Sequence, residues 1–221
     1  MAGIEHGSDL LGSGYVEPAG EKNSSEPLSP NLQRKLAAVL YADIANYARL
    51  TEQDEEGTHL RLVEAIRIMM LHVADNNGRI AHLAGDAVLA EFKDADSALH
   101  CAINVQLSAR QWNADFRVDL PVLFRIGVNL GEVISDQGDI YGNAVNLAAR
   151  LEKLACSGGI CVSEAVMKDL EGYPSIRFVA MGKQCVKNIS EPVHAFWIEF
   201  DSCQMGEPEL TSAVRVSALT S

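Results

Sequence analysis

Short apolar runs and longer segments of helical periodicity alternate along the middle of the chain. Residues 36–44 are almost entirely apolar, which predicts a buried strand with Asp43 near its end. Apolar residues then recur every three or four positions between Leu62 and Val73, which predicts an amphipathic helix. Thr51 and the acidic residues after it predict the start of this helix, and Gly78 predicts its end.

The same patterns predict the remaining elements. Two short strands, 79–83 and 87–92, flank a predicted turn, and a second helix begins at Asp94 or Asp96. The patterns then predict a strand at 122–128, a loop or hairpin at 131–142, a helix at 143–155, a strand at 160–162, a short helix opened by Ser163, and strands at 176–179, 185–187 and 195–200. This order predicts an α+β fold with a mostly antiparallel sheet.

The two ends of the chain differ in composition from the segment between them. Residues 1–33 are rich in Gly, Ser, Pro and Glu and show no apolar periodicity, so we expect a disordered N-terminal tail. Residues 201–221 are similarly weak in pattern, and we expect a C-terminal tail there. One dense folded domain is therefore expected to span residues 34–200.

Composition and charge narrow the classes of function. The 221 residues are 48% hydrophobic and 22% charged, which is typical of a soluble globular domain. Thirty acidic residues against 18 basic ones give a net charge of −12, which disfavours nucleic acid and anionic membrane surfaces as partners. The sequence has no apolar run long enough for an integral membrane segment and no signal-peptide pattern. Five cysteines without a CxxC pair predict reduced thiols, and hence a cytoplasmic location.

Two aspartates form the first candidate site. Asp43 interrupts an apolar strand, and Asp86 lies in the turn between two others. An unpaired buried carboxylate is costly, and a strand beside a hairpin would bring both to one sheet edge. Two close carboxylates attract a cation, and their hard oxygens suit Mg²⁺ or Mn²⁺. The alternative is equally weighted: Asp86 is an ordinary turn residue and Asp43 caps the next helix.

Asn146 and Arg150 form the second candidate. They are four residues apart on one predicted helix face, where an amide and a guanidinium can hold a ribose or stabilise phosphate charge. Taken alone, a solvated face with Arg150 paired to Glu152 or another acid is the more common arrangement.

Three other polar residues lie in apolar surroundings. Arg125 interrupts a strand, where it either forms an ion pair or points into a pocket. Lys187 and His82 also lie on predicted strands, and in isolation each is more simply a surface or core residue.

Six segments together resemble the class III nucleotide cyclases. They are YADIANYARL (41–50), DEEGT (54–58), AGDAVLAEF (84–92), FRIGVNLGEV (124–133), DIYGNAVNLAARLE (139–152) and VKNISEPV (186–193). The resemblance covers about residues 34–200, and the six segments occur in the order that the family shows. It implies a ferredoxin-like β-α-β-β-α-β sandwich, as in polymerase palm domains.

The resemblance also implies roles for individual residues. Two Mg²⁺ or Mn²⁺ ions would be held by Asp43, Asp86 and the carbonyl of Ile44. Asn146 would orient the ribose and Arg150 would stabilise the transition state. The substrate-binding residues would be Arg125 and Lys187 on the polyphosphate, Asp139 and His82 near the base, and Asn46 and Tyr47 in the phosphate-facing loop.

The expected activity is that of an adenylate cyclase, which converts ATP to cyclic AMP and pyrophosphate. The family works as a dimer with composite active sites, so we expect a homodimer. His82 stands where adenylate-selective members usually carry a lysine, which leaves a guanylate cyclase acting on GTP as an alternative. A catalytically silent nucleotide-binding module is a second alternative. Asn46 stands where glycine is common, and asparagine tolerates positive φ better than most residues.

Overall fold

The strands and helices follow one another in an alternating order. The computed structural model describes residues 32–116, 120–172, 176–184 and 192–200. Its elements are β1 (Gln33–Ile44), α1 (Tyr47–Gln53), α2 (Glu55–Asp75), β2 (Arg79–Ala84), β3 (Ala87–Phe92), α3 (Ala95–Asp115), β4 (Phe124–Asp136), β5 (Asp139–Tyr141), α4 (Asn143–Leu154), β6 (Ile160–Ser163), α5 (Glu164–Asp169), β7 (Arg177–Gln184) and β8 (Val193–Glu199).

One sheet contains all the described strands. Its order is β2-β3-β1-β4-β6-β8-β7, with β5 paired to β4. Every neighbouring pair is antiparallel except β4 and β6, which are parallel. The order β2-β3-β1-β4 is that of a ferredoxin-like sandwich, so the predicted α+β class and its mostly antiparallel sheet are confirmed.

The two faces of β1 bury different helices. Leu40 and Ala42 are fully buried in the core cluster that contains residues of α2 and α3. Ala37 and Val39 point the other way, into a smaller cluster with Ala144 of α4. Because side chains alternate along a strand, Asp43 shares the α4 face with Val39. The alternation of β1 therefore places Asp43 on the side of the sheet that carries α4.

The start of the second helix differs from the prediction. Thr51 lies inside α1, where its hydroxyl donates to the carbonyl of Tyr47 at 3.1 Å. Asp54 caps α2 instead, because its carboxylate accepts a 2.9 Å hydrogen bond from the amide of Gly57. The prediction of a helix start at Thr51 was therefore wrong. For the next helix, Asp94 is the cap, and it accepts from the amide of Ser97 at 2.8 Å.

Strand β4 is longer than the prediction of 122–128. It continues to Asp136 and turns through Gln137 and Gly138 into β5, so residues 131–142 form a hairpin and not a loop. Both turn residues have positive φ, 47° and 86°. The extra length of β4 places the β4–β5 turn next to Arg79 of β2. The predicted strand at 185–187 lies outside the described residues.

None of the described helices is long and apolar enough to cross a membrane.

Candidate active site

Asp43 and Arg125 face each other across two central strands. The register of β1 and β4 pairs these residues directly. Arg125 donates from Nε to Oδ1 of Asp43 at 3.0 Å and from Nη2 to Oδ2 at 2.6 Å. Of the two predicted possibilities for Arg125, the structure contains the ion pair. This bidentate contact raises the pKa of Arg125.

Glu152 lies beside the same guanidinium. Its Oε1 is 2.9 Å from Nε of Arg125, and its side chain is 1% exposed. Burial, and then the neighbouring carboxylate of Asp43, raise the pKa of Glu152 to about 8. The alternative in which Arg150 pairs with Glu152 does not form, because Glu152 lies against Arg125. Glu152 instead joins Asp43 and Arg125 in one partly buried group.

Gly127 explains how Glu152 reaches this position. A Cβ atom at Gly127 would lie 2.2 Å from the carbonyl oxygen of Ala148 and 2.3 Å from the amide nitrogen of Glu152. The glycine therefore allows α4 to rest directly on β4. The contact directs Glu152 toward Arg125, two residues before Gly127 on the strand.

Asp86 lies in the two-residue turn between β2 and β3. Gly85 supplies the positive φ of 62° that this turn requires. Burial raises the pKa of Asp86, and the charge of Asp43 adds to the rise, whereas the backbone amides of Asp86 and Ile44 oppose it. Asp43 and Asp86 thus lie near each other at one end of the sheet. The arrangement is that of a like-charge pair.

His82 and Asp139 come together from different strands. Nδ1 of His82 on β2 lies 3.3 Å from Oδ2 of Asp139 at the start of β5. Arg79, which the sequence analysis did not single out, supports this contact. Its Nη1 donates to the carbonyl of Gly138, and its Nε donates to Glu91 at 3.0 Å. Arg79 therefore ties the β4–β5 turn to the edge of the sheet.

Asn146 and Arg150 project from α4 without hydrogen-bond partners among the described residues. The side chain of Asn146 is exposed and has no hydrogen-bond partner in the described parts of the chain. Nε of Arg150 is buried and also lacks a partner there. No hydrogen bond or ion pair between described residues joins either side chain to Asp43 or Asp86. One chain therefore presents two separate groups of candidate residues.

The loop after β1 holds the remaining candidates. Asn46 has a φ of 59° and precedes α1, so asparagine does adopt the left-handed conformation at this position. Tyr47 is partly buried against the main core, and Ile44 is buried in it. Lys187 lies outside the described residues.

Comparison with known proteins decides the family. The sequence profile of the "Adenylate and Guanylate cyclase catalytic domain" matches residues 32–200. The chain belongs to this family, the class III nucleotide cyclases. A relative from Rhizobium meliloti is 39% identical over 165 residues, which cover 74% of this chain and 28% of that protein. A protein of Streptomyces coelicolor named adenylate cyclase is 34% identical over 141 residues, 63% of this chain and 35% of that protein. The chain thus spans about a third of the length of these relatives.

Solved structures of cyclases share the fold. The adenylate/guanylate cyclase/hydrolase of Silicibacter pomeroyi has a TM-score of 0.71 at 38% identity, over 76% of this chain and 98% of that one. The adenylyl cyclase CyaB of P. aeruginosa has a TM-score of 0.70 at 24% identity, over 79% and 99%. The second comparison concerns the fold alone.

Proposed function

We propose that this chain is an adenylate cyclase domain that converts ATP to 3′,5′-cyclic AMP and pyrophosphate for cyclic-nucleotide signalling. One observation carries the proposal. A pair of interacting carboxylates, Asp43 and Asp86, lies at one sheet end, while Asn146 and Arg150 of the same chain present polar groups that have no partner in the described residues. The relative from Streptomyces coelicolor that is named adenylate cyclase supports the same activity.

The carboxylate pair fits a divalent cation. Asp43 and Asp86 offer hard oxygen donors, and the raised pKa of Asp86 reflects a site that disfavours two bare negative charges. The described residues contain no cluster of three or more His, Cys, Asp or Glu side chains that could hold a metal. Asp43, Asp86 and the carbonyl of Ile44 would hold two Mg²⁺ or Mn²⁺ ions. When bound, these ions would lower the pKa of the ribose 3′-hydroxyl and neutralise the leaving pyrophosphate.

The protein residues would orient the substrate and stabilise its charge. Asn146 would hold the ribose so that its 3′-oxygen faces the α-phosphorus. Arg150 would stabilise the negative charge that develops on the α-phosphate as the 3′-oxygen attacks and the bond to pyrophosphate breaks. Its buried Nε, which has no partner in the described part of the chain, supports this role, because an unsatisfied guanidinium donor is costly without a ligand.

Binding of the remaining substrate groups is assigned by position. Arg125 and Lys187 would contact the polyphosphate, and Asn46 and Tyr47 would line the loop that approaches it. His82 and Asp139 would contact the adenine, and their 3.3 Å separation supports a shared base site.

The active site would be composite. Asn146 and Arg150 do not reach Asp43 or Asp86 within one chain, which supports a homodimer in which each site takes metal ligands from one protomer and α4 from the other. The free thiols of Cys101 and Cys161 support a reducing, cytoplasmic location.

Turnover tests the proposal directly. Purified protein is incubated with ATP or GTP, each with Mg²⁺ or Mn²⁺, and the cyclic product and pyrophosphate are quantified. We expect cyclic AMP with a higher kcat/KM than cyclic GMP. Preference for GTP would instead indicate a guanylate cyclase, and no product from either nucleotide would indicate a silent binding module.

A further inference from the structure

Arg125 occupies both oxygens of the carboxylate assigned to the cation. Its Nε and Nη2 take Oδ1 and Oδ2 of Asp43, one each. The pair is largely shielded, since the Asp43 side chain is 19% exposed and that of Arg125 is 31% exposed. In this environment a bidentate arginine–carboxylate pair is stronger than an exposed one.

The surroundings of Arg125 are acidic. Glu152 lies 2.9 Å from Nε, and the charges of Asp43 and Asp86 also act on this guanidinium. Arg125 therefore supplies the positive charge that a divalent cation would otherwise bring to Asp43. Arg125 repels a cation at Asp43, and a cation that takes the carboxylate lone pairs on the side of Arg125 displaces at least one of the two hydrogen bonds from the guanidinium.

We propose that Arg125 is an internal counterion that competes with the divalent cation for Asp43 and is drawn away by the triphosphate of the substrate. The inference rests on the proposed function for the role of Asp43 and goes beyond it in the order of events. Without a nucleotide, Arg125 holds Asp43 and opposes cation binding. When a triphosphate takes the guanidinium, Asp43 is released to the cation, so the two ligands favour each other's binding.

Glu152 keeps the guanidinium at the site during this exchange. Its Oε1 lies 2.9 Å from Nε, the same atom that donates to Asp43, and α4, which carries it, packs closely on β4 at Gly127. Arg125 can therefore leave Asp43 without losing all of its protein partners. Glu152 is thus a positioning residue that acts through Arg125.

Two binding measurements with opposite expected signs test the proposal. The affinity of nucleotide-free protein for Mn²⁺ is measured by the electron paramagnetic resonance of free Mn²⁺. The affinity for inorganic tripolyphosphate is measured separately, in the presence of a chelator. In Arg125→Gln we expect roughly tenfold tighter Mn²⁺ binding and roughly tenfold weaker tripolyphosphate binding. A local folding defect would weaken both.

Two further variants distinguish competition for Asp43 from a loss of positive charge and from a general effect on folding. Arg125→Lys keeps the charge but loses the planar fork, and it should also bind Mn²⁺ more tightly than wild type. Arg34→Gln is the matched control. Arg34 pairs with Glu132 at 2.8 Å across the same two strands, nine positions before Asp43 in the sequence. At roughly 30 Å along the strand it should change neither affinity.

The outcomes are distinct from those of the turnover experiment. Unchanged or weaker Mn²⁺ binding in both Arg125 variants, with circular dichroism like that of wild type, would overturn the inference. The predicted Mn²⁺ and tripolyphosphate changes in a protein that forms no cyclic product would support the counterion role and remove the proposed activity.

Discussion

His82 and Asp139 meet at 3.3 Å although 57 positions separate them in the sequence, since β2 and the β4–β5 hairpin lie side by side. The His82 side chain is 57% exposed, so it is open to a ligand. A lysine at this position would present a fixed positive charge to the same carboxylate.

We therefore expect His82→Lys to raise the preference for ATP over GTP. The lysine restores the donor that adenylate-selective members of the family usually carry near the base. One well-placed hydrogen bond contributes about 1–1.5 kcal/mol, so the ratio of the two kcat/KM values should rise roughly fivefold to tenfold. A ratio that does not move would mean that His82 does not face the base.

Arg79 offers a second route to base selectivity. We expect Arg79→Gln to lower the ATP-to-GTP ratio of kcat/KM roughly threefold, because the β4–β5 turn loses its tie at the Gly138 carbonyl and Asp139 is no longer held. The matched control is Lys35→Gln. Lys35 shares the partner Glu91 at 2.9 Å but does not contact the turn, so this variant should keep the wild-type ratio. Equal effects in both variants would assign the change to Glu91.

The two aspartates should differ in their effect on stability. We expect Asp43→Asn and Asp86→Asn each to reduce turnover to below about 1% of wild type, since each removes a proposed cation ligand. Asp43→Asn should also cost about 1–3 kcal/mol of unfolding free energy, because it weakens the pair with Arg125. Asp86→Asn should leave stability unchanged or higher, because burial already disfavours the charged form of Asp86. Thermal unfolding and turnover are measured on the same preparations, and retained turnover in either variant would refute the metal assignment.

Mixing inactive variants tests the composite site. Asp86→Ala removes a metal ligand from both sites of a homodimer, and Arg150→Ala removes the arginine from both. In a mixed dimer, one site collects both defects and the other is intact. With free exchange and equal amounts, about half the dimers are mixed, so activity should return to roughly a quarter of wild type. Activity equal to the average of the two separate variants, after demonstrated subunit exchange, would show that each chain holds a complete site.

The pair of His72 and Ser108 makes stability depend on pH. Nε2 of His72 on α2 lies 2.7 Å from the hydroxyl of Ser108 on α3, and burial lowers the pKa of His72 below 6.5, with a smaller opposing effect from Asp75. Between the folded and unfolded pKa values the unfolded chain binds more protons, so this contribution is complete above pH 6.5 and is lost as the pH falls. His72→Gln should reduce the decrease in Tm between pH 7 and pH 5 by about 1–3 °C. If Tm falls by the same amount in the variant as in wild type, His72 does not contribute to the pH dependence of stability.

The positions of several proposed site residues follow from local patterns, whereas their proposed roles rest on the resemblance to the family. Asp43 stands out in an apolar strand, and Asp86 follows the glycine of a two-residue turn, so both positions were predictable from residues near them in the sequence. Asn146 and Arg150 share a helix face by spacing alone. None of these positions requires knowledge of which strands pair, although bringing the two aspartates to one sheet edge does.

Glu152 and Arg79 were not predictable in the same way. A glutamate beside Lys153 near the end of a helix is typical of a solvated face, and only its spacing from Ala144 and Ala148 indicates the buried stripe. Its contact with Arg125 depends on how α4 packs on β4 at Gly127, which a single sequence does not contain. The role of Arg79 depends on the β4–β5 turn lying beside β2, so that the carbonyl of Gly138 is within reach of the guanidinium.

Gly127 lets the backbone of α4 lie directly on β4. A methyl group at position 127 would clash with the backbone of α4, which cannot change rotamer as a side chain can. The whole helix would therefore have to move away from the sheet. Both Glu152 and Arg150 lie on α4. Glu152 contacts Arg125 of its own chain, whereas Arg150 would serve the other active site of the proposed dimer. A single added carbon at position 127 would therefore disturb both reaction centres of the dimer in one movement.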